Sequence, residues 1–198
     1  MKSLHFSVNR VLEEENATLD TSKLLGAPVF PEDFFEKNNI DVNDYFVAQL
    51  NLNEIKDPNG LLPKTGFLYF FLDINSLLPK VIYEPREPET VMDDINDGFD
   101  EESCGNTNAL YMEFNDEDEP REQLLLGDID PDLDLGCFLD IDGYVTLLQL
   151  DALELPQEYP VLQFTTLSKY DGYYIFLIKE SDLRKGDFSK VKFVDYGS

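Results

Sequence analysis

The chain has 198 residues, of which 42% are hydrophobic and 13% aromatic, enough to bury a sizeable core within a single unit of ordinary domain size. Its 41 acidic and 15 basic residues leave a net charge of -26. Such a surface repels nucleic-acid phosphates and anionic lipid headgroups, which argues against nucleic-acid and membrane-surface partners and favours basic partners or cations.

At the N-terminus, Glu13, Glu14 and Glu15 follow soon after Phe6, and no apolar stretch of the signal-peptide kind precedes them. No apolar run anywhere approaches the ~20 residues of a membrane span, so a cytoplasmic location is expected. Val11 to Ala17 reads as a short helix, and Pro31 to Lys37 as a second, with proline suited to a first turn. Between them lies Leu24-Leu25-Gly26. The apolar stretch Tyr45-Phe46-Val47-Ala48 then leads as a strand into Gln49-Leu50-Asn51, and Asp57-Pro58-Asn59-Gly60 marks a turn. Gly66 opens Phe67 to Leu72, a continuous aromatic and aliphatic run of the kind buried on both faces of a sheet.

From Glu84 to Gly105 large apolar residues are scarce, and a loosely packed connector is expected there. Ala109 to Phe114 recovers a strand pattern, and the like charges of Asn115 to Pro120 suit a solvated loop. After Leu125-Leu126-Gly127, the run Tyr144 to Leu148 reads as a strand into Gln149-Leu150-Asp151. Gly172 opens a second buried strand, Tyr173 to Ile178, and Glu180 to Lys185 reads as a short helix.

The order of these features repeats. The Leu-Leu-Gly, Gln-Leu and glycine-opened strand elements recur at offsets of 101, 100 and 106 residues, which argues for an internal duplication. The expected fold is therefore α+β and β-rich, a single globular unit of two diverged structural repeats in a pseudo-twofold arrangement, with mostly antiparallel strands and short helices. Repeat one covers about residues 20–83, an acidic connector about 84–122, and repeat two about 123–196. The charge is unevenly divided: residues 1–83 hold 12 acids and 7 bases, 84–142 hold 21 and 2, and 143–198 hold 8 and 6.

Candidate chemistry is sparse. Asp128, Asp130, Asp132 and Asp134 place carboxylates at every second position, a spacing that can converge on a hard cation such as calcium. Counted from Asp128, however, the EF-hand pattern requires glycine where Leu133 stands and glutamate where Leu139 stands. Asp140-Ile141-Asp142-Gly143 is equally incomplete, so a solvated acidic loop is the reading set against weak calcium binding. Cys104 and Cys137 form no CxxC pair and suggest neither a disulfide scaffold nor a zinc site. His5 is the only histidine, and no phosphate-binding glycine loop or nucleophile elbow is present, so no catalytic constellation emerges. Gln49 and Gln149 occupy equivalent repeat positions at strand ends, where each amide would satisfy a buried backbone group or form the polar floor of a cleft.

The segments Ser22 to Pro28, Phe46 to Leu52, Gly66 to Phe71, Leu148 to Asp151, Gly172 to Phe176 and Asp187 to Val191 resemble the YwqG-like family of bacterial proteins of unknown function. The resemblance covers about residues 20 to 196 and implies a duplicated, β-rich fold in a cytoplasmic bacterial setting. It implies no catalytic residues. Unlike many members, the chain has Arg121-Glu122-Gln123 before Leu124 and no Trp. The expectation that follows is a non-enzymatic interaction module, of immunity or inhibitor type, whose acidic face centred on residues 84–142 engages a basic protein. Calcium binding through acidic loops is the alternative.

Overall fold

The computed structural model describes residues 4–9, 20–73, 75–92, 109–115, 126–127, 144–151 and 172–197. In chain order the elements are β1 (Leu4–Asn9), β2 (Lys23–Leu24), β3 (Val29–Phe30), α1 (Phe34–Asn38), β4 (Asp44–Asn51), β5 (Phe67–Asp73), β6 (Pro79–Glu84), β7 (Thr90–Val91), β8 (Leu110–Asn115), β9 (Leu126–Gly127), β10 (Tyr144–Asp151), β11 (Gly172–Lys179), α2 (Glu180–Leu183) and β12 (Lys192–Gly197). The fold is β-rich, with mostly antiparallel strands and short helices, as the sequence predicts. The chain forms two compact units, one of Val8–Lys56 with Pro63–Glu113, the other of Met1–Ser7, Asp57–Leu62 and Phe114–Ser198.

In the first unit β4, β5 and β6 form an antiparallel meander, and β2 lies antiparallel between β4 and β8. Every residue of β4 and all of β5 up to Leu72 are buried, which is what continuous apolar strand sequences require. One face of this meander carries Phe46, Phe67, Tyr69 and Phe71, which pack against Phe30 of β3 and Phe34 of α1. The Phe30 and Phe34 rings stack at 4.5 Å, and the Tyr69 ring lies 4.8 Å from both. Burying each such side chain contributes about 1.5–3 kcal/mol, so this cluster is a substantial part of the unit's core.

A bulge sets which β4 side chains face that core. Phe46 pairs with Phe71 and Gln49 with Tyr69, and the register shifts between Phe46 and Ala48. Phe71 and Tyr69 are two apart and share a face, so the extra residue brings Phe46 and Gln49, three apart, onto the same face. An unbulged strand would turn Gln49 to the opposite side.

The Leu24-Leu25-Gly26 segment owes its glycine to the backbone. Leu25 and Gly26 both have left-handed φ, +56° and +70°, and a Cβ on Gly26 would come within 2.5 Å of the Ala109 Cβ.

In the second unit β10, β11 and β12 form another antiparallel meander, and β9 pairs in parallel with both β1 and β10. Here too the register shifts, between Thr146 and Leu148, placing Thr146 and Gln149 on the face of Ile175, Leu177 and Val194. Tyr144, Ile175 and Leu177 form a core cluster on that face, with Val194 packed against them. The two Leu-Leu-Gly segments differ in direction: β2 runs antiparallel to the strand bearing Gln49, whereas β9 runs parallel to the strand bearing Gln149. The predicted turn at Asp57 is built by its carboxylate, which accepts from the N–H groups of Asn59, Leu61 and Leu62.

Several expectations shift in detail. The helix predicted from Pro31 begins at Phe34, because Pro31 instead heads a turn in which its carbonyl accepts from the Phe34 N–H at 3.0 Å. The helix predicted over Glu180 to Lys185 closes at Leu183 and passes into a turn at Gly186, whose φ is +70°. Ala109 to Phe114 matches β8 to within one residue. The helix predicted from Val11 to Ala17 lies outside the described residues. The start of the connector departs most from expectation, since Glu84 to Met92 is firmly attached rather than loosely packed. β7 pairs with β3, the Glu89 N–H donates to Phe30 O at 2.9 Å, and the Met92 N–H donates to Pro28 O at 3.0 Å. The scarcity of large apolar residues is offset there by backbone pairing and ion pairs.

Candidate functional site

β6 delivers Glu84 into a buried position, 1% exposed, at the start of the acidic connector. Two residues later the Arg86 guanidinium turns back on it as a fork: Nε donates to Glu84 Oε1 and Nη2 to Oε2, each at 2.8 Å. Arg86 Nη2 also reaches Asp33 Oδ1 at 2.8 Å, and Lys37 Nζ of α1 donates to Glu84 Oε2 at 3.1 Å. The Arg86 hydrogen bond, helped by Lys37, holds the Glu84 carboxyl down at about 2. The same guanidinium lowers Asp33. Two basic side chains are thereby committed to two acidic ones.

Immediately beyond this clamp, Glu87, Pro88, Glu89, Thr90 and Val91 line a cleft of about 270 Å³ together with Asp20 and Val29. Asp20 is brought there by β4. Asn51 Nδ2 donates to Asp20 O at 3.1 Å, Gln49 Nε2 donates to Thr21 O at 3.1 Å, and the Asn51 N–H donates to Ser22 Oγ at 2.8 Å. Val29 is held at both ends, its N–H donating to Gln49 Oε1 at 2.9 Å and its carbonyl accepting from Tyr69 OH at 2.7 Å. Burial, reinforced by the negative charges of Glu84 and Glu87, pushes the Tyr69 hydroxyl far above the ordinary phenol range, so it is a fixed donor and not a proton-transfer group.

The carboxylates of Asp20, Glu87 and Glu89 have no ion-pair partner among the described residues. A cleft lined by these three acidic residues together with Val29, Pro88 and Val91 can receive cationic side chains carried on an apolar or extended backbone.

Asp128, Asp130, Asp132 and Asp134, and likewise Asp140, Asp142, Cys104 and Cys137, lie outside the described residues. Among the described residues no three His, Cys, Asp or Glu side chains are grouped to hold a metal ion. His5 stands on β1 opposite Gly127. Gln49 satisfies buried backbone groups, one of its two expected roles. Gln149 differs: it is 1% exposed, yet its Nε2 has no hydrogen-bond partner among the described residues, and the same holds for Thr146 Oγ1 on that face of β10. The excess of acid over base in residues 84–142 points to Glu87 and Glu89. Nothing local points to Asp20, which joins them through hydrogen bonds from residues about thirty positions away.

A family described as a domain of unknown function (DUF1963) matches residues 22–194. The chain belongs to this family. No curated protein matches the chain. In this DUF1963 member the matched span takes in Glu84, Arg86, Glu87 and Glu89, and it begins two residues after Asp20.

Proposed function

We propose that this DUF1963 protein is a non-enzymatic interaction module that engages a basic protein through its acidic face, in the manner of an immunity protein or inhibitor. The observation that carries this reading is the division of charge around β7. Arg86 and Lys37 are consumed by Glu84 and Asp33, while Asp20, Glu87 and Glu89 line the adjacent cleft without counter-ions among the described residues. Carboxylates left uncompensated beside a cleft steer and orient a cationic partner, and the composition of residues 84–142, 21 acids against 2 bases, is of the same sign.

The scaffold beneath this face is read as a duplication, and two parallels support it. Each unit has a strand with one extra residue, at Val47 or Leu147, followed two positions later by Gln49 or Gln149. Each such strand pairs with a buried strand opened near a glycine. A YwqG-like, cytoplasmic bacterial setting fits the quoted sequence segments and the absence, among the described residues, of a helix long and apolar enough to cross a membrane.

The test is a capture from lysate with the intact chain immobilised at low ionic strength. A basic protein retained there and released by raised salt is expected, since exposed charge pairs are screened within about 10 Å at 0.1 M salt. Capture that persists unchanged when Glu87 and Glu89 are both replaced by lysine would sink the proposal for this face.

A further inference from the structure

We infer that β7 is a docking edge, onto which an extended segment of the basic partner adds as one more strand, its Lys or Arg side chains meeting Asp20, Glu87 and Glu89. The inference rests on the interaction reading above and specifies its geometry.

The backbone of the β3–β7 pair carries the argument. Val29 stands opposite Val91, and the Met92 N–H donates to Pro28 O at 3.0 Å beside them, which makes 29 and 91 a pair that exchanges no hydrogen bonds. Residues of such a pair turn their own N–H and C=O groups away from each other. On the β3 side those outward groups are taken, the Val29 N–H by Gln49 Oε1 and the Val29 carbonyl by Tyr69 OH. By the same geometry the N–H and C=O of Val91 point outward from β7. Among the described residues β7 has no further strand there, and Val91 has no hydrogen-bond partner on that side. The acidic cleft is lined by every residue from Glu87 to Val91, so the open edge and the unpaired acidic residues belong to one short segment.

Charge decides the occupant. Open edges invite pairing with any extended chain, and proteins commonly guard them with charge or proline. Here the guards are Glu87, Pro88 and Glu89, which repel a second copy of a chain of net charge -26 and admit a cationic strand. In strand addition the main chain supplies affinity, and alternate side chains supply selectivity. Side chains alternating along the added strand would place every second residue toward the carboxylates, so Lys or Arg at alternate positions all face them.

The experiment uses the full chain and a labelled seven-residue peptide alternating lysine and valine, followed by fluorescence anisotropy. A second peptide carries the same side chains with alternate backbone nitrogens methylated, which removes strand donors and keeps the charge. The unmethylated peptide is expected to bind, and methylation is expected to weaken it at least about fivefold, the loss of one or two net hydrogen bonds. Val91→Pro removes the outward donor without touching the bonds to β3 and is expected to weaken the unmethylated peptide by about threefold or more. Glu87→Gln with Glu89→Gln is expected to weaken both peptides. Equal binding of both peptides, lost in the double glutamine variant, would overturn strand addition and leave the charge reading standing. Binding of neither peptide, or binding indifferent to the glutamine changes, would overturn the inference and the interaction reading at this cleft together.

Discussion

Gln49 Oε1 accepts the Val29 N–H at 2.9 Å across twenty residues of sequence, and through that bond a core strand of the first unit holds one wall of the acidic cleft. Replacing Gln49 with leucine keeps the side chain's bulk and orphans a buried N–H. The expected loss is about 2–3 kcal/mol, near the upper part of the range for an unsatisfied buried donor. In the second unit Gln149→Leu removes an Nε2 that has no partner among the described residues, so its cost is expected to be under about 1 kcal/mol. Urea titrations of the two variants provide the comparison. Equal losses would show that Gln149 is as firmly bonded as Gln49.

Gly66 and Glu84 give a second prediction. Gly66 has φ +90°, and a Cβ there would lie 2.6 Å from the Glu84 carbonyl oxygen. Gly66→Ala combines left-handed strain with a backbone clash and is expected to cost at least about 2 kcal/mol. Because the clash falls on Glu84, the variant should also weaken binding of a basic partner at the cleft. Gly60→Ala serves as the control: its φ is +64° but its Cβ would meet nothing within 4 Å, so it should carry the strain alone.

The Glu84 clamp predicts a pH dependence with a definite sign. Its carboxyl is depressed from the ordinary 4.5 to about 2, first by the Arg86 hydrogen bond. A depressed acid contributes stability that is fully present above about pH 4.5 and is lost as pH falls towards 2. In Glu84→Gln that contribution is absent at every pH. The gap in urea midpoint between wild type and variant should therefore be widest above pH 4.5 and narrow steadily towards pH 2. A gap that stays constant across this window would mean that the ion pairs with Arg86 and Lys37 contribute nothing.

Divalent cations should stabilise the chain without discrimination. Relief of self-repulsion at a net charge of -26 is expected to raise the melting temperature equally in calcium and magnesium at matched ionic strength. A shift specific to calcium and saturating with its concentration would instead mark a site binding the folded state, with Asp128, Asp130, Asp132 and Asp134 the first residues to replace.

Much of the fold is legible in sequence because its signals are local. The mixed aromatic and aliphatic runs Phe67 to Leu72 and Tyr173 to Ile178 declare buried strands by composition alone, and both are central strands of their meanders. The short helix near Phe34 was legible to within a few residues. The firm attachment of Glu84 to Met92 was not, because it depends on Phe30 and Pro28 carbonyls and on the Asp33 and Lys37 side chains, all far away in sequence. The excess of carboxylates implicated Glu87 and Glu89, but so many acids share that segment that composition could not separate them from Glu84, whose charge is consumed.

What the residues determine unaided is therefore the β-rich class, the four buried core strands, and the concentration of negative charge between residues 84 and 142. These follow from hydrophobic and ionic composition over short windows. Tertiary structure alone decides which charges remain available and which way the glutamines face. The first depends on pairings such as Arg86 with Asp33, 53 residues apart, which neutralise some acids and leave others open. The second depends on single extra residues at Val47 and Leu147, since one residue inserted into a two-residue period moves every following side chain to the opposite face.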